Sequence, residues 1–336
     1  MGEGSFFQST VFKILIFLLG TVVIAAVLAP FLYIGGNYVV AQGWLAGGWL
    51  DGLNGSMERA HFSRYFNRAI LLGSLLMIWP TLRWLNIGRP RQRGRRPSGQ
   101  EIREQLFLTV NPAWWRHLLV GFLLAGGTLL LLGWLYVEQG WYNAIEGGEP
   151  LSGILLSAVG TAVAVGLLEE FVFRGALQAV LSKLLKPGML FWVIAVFFAA
   201  IHFFNVPGMA DFGPITAGSG FRMLGRIFEH FFSQFANPYF LLAEFAVLLS
   251  IGLVLGYARM KTRSLWLGIG LHAGWVFGVK TLSPLTQRAF ASGEMMPWLG
   301  DNLRVGAVSC LVVSLTGLVI WLWLRKKYES PFSSRE

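Results

Sequence analysis

Runs of about 20 consecutive apolar residues, set apart by short polar or basic stretches, recur along this chain, and no other feature narrows its fold as much. At 1.5 Å per residue, a helix of that length crosses a hydrocarbon layer about 30 Å thick. Lipid offers backbone N–H and C=O groups no partner, so each run must be a helix that satisfies its own hydrogen bonds. Composition agrees. Hydrophobic residues make up 55% of the chain and charged ones 13%, against roughly a quarter charged in soluble domains. The expected fold is all-α, a polytopic membrane helical bundle of about eight transmembrane helices at approximately 10–34, 69–85, 117–137, 151–181, 188–204, 239–258, 264–280 and 304–324. The chain is expected to divide into an N-terminal two-helix region with a basic loop, 1–116, and a core, 117–336.

The net charge of +10 would suggest a nucleic-acid partner in a soluble protein. Here the cations sit in short connections between apolar runs, so no nucleic acid is expected and the partner is the lipid bilayer. Their placement reports orientation instead. Arg83, Arg89, Arg91, Arg93, Arg95, Arg96, Arg103 and Arg116 mark one connection as cytoplasmic, because retained cations lie on that side. Lys183 and Lys186, then Arg259, Lys261 and Arg263, then Arg325, Lys326, Lys327 and Arg335 fall on the same side. The expectation is a multi-pass integral membrane protein, of the cell or inner membrane in a bacterium, with both termini cytoplasmic. The first run reads as a retained span rather than a signal peptide, since Pro30 follows its small residues Ala25 to Ala29.

Cys310 lies inside an apolar run with no second cysteine, which gives no disulfide framework or thiolate metal site and points to helix packing. Gly252 and Gly256 form a small-x-x-x-small step suited to internal packing or to dimerisation. Phe221, Leu224, Phe228, Phe231, Phe232 and Phe235 recur at helical spacing, with Arg222, Arg226 and Glu229 between them, and predict an amphipathic helix on the membrane.

Ionisable groups within spans cost roughly 2.5–3.5 kcal/mol each on insertion scales, so each asks for a partner or a purpose. The fourth span carries Glu169, Glu170 and Arg174; the fifth ends in His202; the seventh carries His272; Glu244 lies near the external end of the sixth. Glu170 and Arg174 stand four apart with the acid first, the favoured order for an ion pair along one helix face, while Glu169 lies about 100° around the helix. Glu169 is therefore the spare carboxylate, to be balanced from another helix by imidazole or a metal. By helical rise, Glu169 and His202 both lie about 21–24 Å from the connection at 183–186. His272 lies only about 13 Å beyond Arg263 and reaches them only if its span begins deeper or tilts.

The ordered set Glu169-Glu170-x-x-x-Arg174-Gly175, then Phe198-x-x-x-His202, then Ser264-Leu265-Trp266 leading to His272 resembles the CPBP family of intramembrane endopeptidases, which includes the CAAX prenyl endopeptidases and bacteriocin-processing relatives. The resemblance covers about residues 150–280. It implies that 117–336 is a protease core of CPBP type, cleaving membrane-associated peptides or proteins. Residue by residue, it makes Glu169 the carboxylate that activates water, Glu170 and Arg174 its supporting pair, and His202 and His272 the two site histidines. The family usually has a polar residue four positions after the last histidine, to help hold an oxyanion. This chain has Val276 there, and Asn205 or a histidine N–H is the substitute. Glu169, His202 and His272 could hold zinc, with water in a fourth position, or act without a metal. Two further readings stand beside the peptidase: a non-catalytic scaffold or immunity protein of the same fold, favoured by Val276, and a proton-coupled transporter using the buried acid, which the lack of an inverted repeat disfavours.

Overall fold

The computed structural model describes residues 10–84, 111–147, 150–182, 184–204 and 212–328. In chain order the main elements are α1 (Thr10–Ala41), α2 (Asp51–Glu58), α3 (Phe62–Trp84), α4 (Trp114–Glu138), β1 (Tyr142–Ala144), α5 (Leu151–Glu170), a π-helical segment Phe171–Leu177, α6 (Gln178–Leu181), α7 (Pro187–Ile201), α8 (Ser219–Ser233), α9 (Pro238–Thr262), α10 (Trp266–Leu282), β2 (Thr286–Arg288) and α11 (Ala307–Tyr328). Among the described residues, six helical stretches are long and apolar enough to cross a membrane: Phe12–Ala41, Trp114–Glu138, Leu151–Leu181, Pro187–Phe204, Pro238–Thr262 and Ala307–Arg325. The chain is a helical, multi-pass membrane protein. The other two expected spans are also helices. Arg64, Asn67 and Arg68 make the first half of α3 polar, and α10 has only 17 residues, most of them buried in the protein. The basic residues Arg89 to Arg103, Lys183 and Arg335, and also Asn205, lie outside the described residues.

The chain divides into two units, one of residues 1–106 and 201–236, the other of 107–200 and 237–336. In the first, α1 and α3 meet through small residues. Ala25, Ala26 and Ala29 are buried against Phe62, Phe66 and Ala69, and a Cβ on Gly73 would stand 2.8 Å from the Thr21 carbonyl oxygen. Pro30 lies inside α1 and lacks the N–H that would bond the Ala26 carbonyl. At that carbonyl α8 crosses on Gly220, where a Cβ would stand only 1.7 Å from the oxygen. Gly220→Val is therefore expected to lift α8 off α1, at a cost of about 1–3 kcal/mol for the overpacking. Limited proteolysis of the 205–236 region reads this, and a cleavage rate equal to that of the unaltered protein contradicts it.

The predicted amphipathic helix is α8, with three stripes instead of two. Gly220, Met223 and Ile227 are buried in the protein; Phe221, Phe228 and Phe232 are exposed on the next face; Arg222, Arg226 and Glu229 follow on the third. One buried, one apolar exposed and one charged face is the division that an interfacial helix requires. The aromatic spacing alone leaves the Met223 and Ile227 stripe unnoticed.

In the second unit α10 packs against α4, α5 and α9. Its approach to α4 is set by Gly270, Gly274 and Gly278, spaced four apart. Cβ atoms there would stand 2.2 Å from the Leu118 carbonyl oxygen, 2.6 Å from that of Phe122 and 2.9 Å from Leu129 Cβ. Without a hydrophobic drive between helices in lipid, such backbone proximity is what holds them together. Gly252 and Gly256 of α9 likewise serve internal packing, against Ala195 and Phe191 of α7. Cys310 Sγ stands 3.4 Å from Ser250 Oγ, a helix-to-helix contact. At one end of this unit β1 pairs antiparallel with β2, Tyr142 opposite Arg288. The Tyr142 hydroxyl donates to the Gly300 carbonyl at 3.0 Å, and Arg288 pairs with Asp301 at 2.8 Å.

Candidate active site

The site begins at the junction of α5 with its π-helical continuation. Glu170 ends α5, and Arg174 lies in the wider turn that follows, where the Gln178 N–H bonds the Phe173 carbonyl five residues back. Such turns concentrate at functional positions because they redirect side chains without ending the helix. Arg174 Nη1 donates to Glu170 Oε1 at 2.8 Å, and both side chains are fully buried. Arg174 also donates through Nη2 to the Gly252 carbonyl at 3.4 Å, and its guanidinium lies 4.4 Å from the centre of the Phe198 ring. A buried cation thus gains a carboxylate, a carbonyl and an aromatic face, each offsetting part of its desolvation.

His272 approaches the same carboxylates from α10. Its Nδ1 stands 3.3 Å from Glu170 Oε1, and its Nε2 stands 3.8 Å from Glu169 Oε2. An ionised carboxylate only accepts, so Nδ1 carries the proton and donates to Glu170. Gly268, one turn earlier on α10, makes room for this meeting, since a Cβ there would stand 2.6 Å from Glu170 Oε2. The Phe198 ring meets His272 edge to face at 5.8 Å, so one aromatic ring braces both the arginine and the imidazole. Sequence reasoning gave Phe198 no task beyond its place in a motif and passed over Gly268. The glycines at 268, 270, 274 and 278, crowded on one short helix, were the available signal.

The two carboxylates differ in what they can meet. Glu170 is 0% exposed and bound to Arg174, while Glu169 is 19% exposed. Glu169 is thus the less enclosed of the two acids, although its Oε2, the oxygen that faces His272, is itself buried. The 3.8 Å gap to His272 Nε2 is too long for a direct hydrogen bond, yet one oxygen can stand ~2.8 Å from both atoms.

The structure brings together Glu169, Glu170, Arg174 and His272. The depth comparison let His272 reach the acids only if its span began deeper or tilted, and the structure sets the imidazole beside both of them. Arg259, counted with the boundary cations, instead lies near the end of α9 with 3% exposure, its Nε 3.4 Å from the Arg174 carbonyl oxygen. His202 opens a single 3-10 turn, His202–Phe204, directly after α7 and is half-buried in the first unit. Glu244 is half-buried on α9. Among the described residues, no three His, Cys, Asp or Glu side chains are grouped to hold a metal ion.

Fold and site together define a multi-pass helical membrane protein with a carboxylate and imidazole cluster inside its bundle of spans. Residues 151–278 match the model of the Type II CAAX prenyl endopeptidase Rce1-like family. That segment contains every residue of the cluster, and it accords with the resemblance drawn from the three motifs. No curated protein and no solved structure matches the chain.

Proposed function

We propose that this chain is an intramembrane endopeptidase that hydrolyses peptide bonds of membrane-associated peptides or proteins, prenylated CAAX chains among them, with Glu169 activating water and His202 and His272 completing the site. The observation that carries this reading is the pairing of the less enclosed of two adjacent carboxylates with an imidazole, 3.8 Å apart, inside the segment that matches a peptidase family. In the first step the Glu169 carboxylate takes a proton from water, and the water oxygen bonds to the scissile carbonyl carbon. The C=O π electrons move onto oxygen. The imidazoles of His202 and His272 offset the charge on that oxygen, His272 remaining tied through Nδ1 to Glu170. When the intermediate collapses, the C–N bond breaks and Glu169 returns its proton to the departing amine. The products are one acid and one amine, with Glu169 restored.

Glu170 and Arg174 support this chemistry by fixing His272, because a ring tied at Nδ1 keeps Nε2 aimed at Glu169. Asn205 is a second candidate donor to the carbonyl oxygen. The steps run on side chains alone, and zinc on Glu169, His202 and His272 is the alternative that a chelator arm tests. The orientation that supports access from the cytoplasm puts both termini on that side, as the cation distribution suggests.

The test is purified protein in proteoliposomes with an internally quenched peptide ending in a farnesylated CAAX sequence, beside the same peptide without the farnesyl group. Release of the C-terminal fragment, unchanged by a zinc chelator, is the expected result. Neither peptide being cut contradicts the reading. Cleavage lost with chelator and regained with added zinc moves the chemistry to the metal.

A further inference from the structure

We infer that the Trp275 indole N–H is a further hydrogen-bond donor to the scissile carbonyl oxygen, beside the histidines, taking the part of the polar side chain that this chain lacks at Val276. The inference rests on the peptidase reading of the site. Trp275 is 4% exposed, and its Nε1 has no hydrogen-bond partner among the described residues. An indole nitrogen only donates, and a buried one normally finds an acceptor. A buried orphan donor in a native structure asks for a reason.

Its place on α10 supplies one. Trp275 follows His272 by three residues and Val276 follows it by four, so they lie about 60° to one side and 40° to the other of the histidine, one turn along. The face that packs on α4 is the opposite one, carried by Gly270, Gly274 and Gly278. Trp275 instead joins the buried cluster that contains Phe198, the ring against which His272 is braced. Trp275 is thus one helical turn from His272 along α10 and next to the residue where a polar side chain is missing. A donor that stays unpaired until charge develops on the substrate oxygen gains its bond in the transition state, which is where binding raises kcat.

Trp275→Phe keeps an aromatic ring and removes the N–H. With the farnesylated peptide in proteoliposomes, kcat is expected to fall about 100-fold, with KM and the thermal unfolding midpoint close to those of the unaltered protein. Adding Val276→Asn to Trp275→Phe supplies an amide donor on the other flank and is expected to restore at least about tenfold of the loss, a rescue that a packing defect would not show. An unchanged kcat in Trp275→Phe overturns the inference, and so does a loss that Val276→Asn leaves untouched. Either of those results with Glu169→Gln inactive leaves the peptidase reading standing. No cleavage by the unaltered protein, or full cleavage by Glu169→Gln, brings down that reading and the inference with it.

Discussion

Arg174→Met is expected to cost about 3–5 kcal/mol and to leave little folded protein, the penalty for stranding one charge of a buried pair. Arg174 and Glu170 are both fully buried and 2.8 Å apart. With the arginine gone, Glu170 would lose its ion-pair partner and keep the His272 contact and the attraction of Arg259, and the Gly252 carbonyl and the Phe198 face would lose their contact. The paired change Glu170→Met with Arg174→Met removes both charges and should recover most of the stability, since a buried ion pair and an apolar pair of similar size often differ little. Thermal unfolding in detergent measures both variants beside the unaltered protein. An Arg174→Met protein as stable as the unaltered one would mean that Glu170 is not held by this arginine.

Glu169→Gln is expected to lower kcat by about 100- to 10,000-fold, the range for loss of a general base, with little change in stability. Glu170→Gln should do the reverse in part, unfolding more easily because it breaks the bond to Arg174. The contrast follows from position: Glu169 is the half-buried acid that faces His272 across a gap, and Glu170 is the enclosed acid held by Arg174 and His272. Steady-state cleavage and unfolding midpoints, measured on the same preparations, separate the roles. Equal kcat losses in two equally stable variants would erase the distinction.

The membrane fold was legible because lipid imposes a length and a composition that few other constraints could produce. Helical content followed from the same rule, and the spans recovered differ from the expected ones chiefly at α3 and α10. Their signal was diluted for opposite reasons, Arg64 and Arg68 in one and a shortened, protein-covered helix in the other. The Glu170–Arg174 pair was legible as well, since four residues along one helix is a local relation. It survives even though the chain there winds into a π-helical turn, which nothing in Phe171 to Leu177 announces.

Relations between helices were less legible. Charged residues at 259–263 were all taken to mark the aqueous boundary, and Arg259 does not mark it; it turns inward to the Arg174 carbonyl. A buried arginine and a surface arginine look alike in sequence. The contact of His272 with Glu170 depends on the absence of a side chain at Gly268, and the orphan N–H of Trp275 depends on what does not surround it. Both are properties of packed space. The resemblance at the three motifs named Glu169 and His272 for the site, and the geometry adds Phe198 as the ring that braces His272 and Arg174 together.

Direct attack by a water that Glu169 activates is the central step, and a single turnover in water labelled with heavy oxygen tests it most directly. The farnesylated peptide would be mixed with excess protein in proteoliposomes, and the products read by mass spectrometry. One labelled oxygen in the new carboxyl terminus from the first turnover, with no peptide attached to the chain, is the predicted result. Unlabelled product, a covalent peptidyl adduct on the protein, or intact peptide would contradict it.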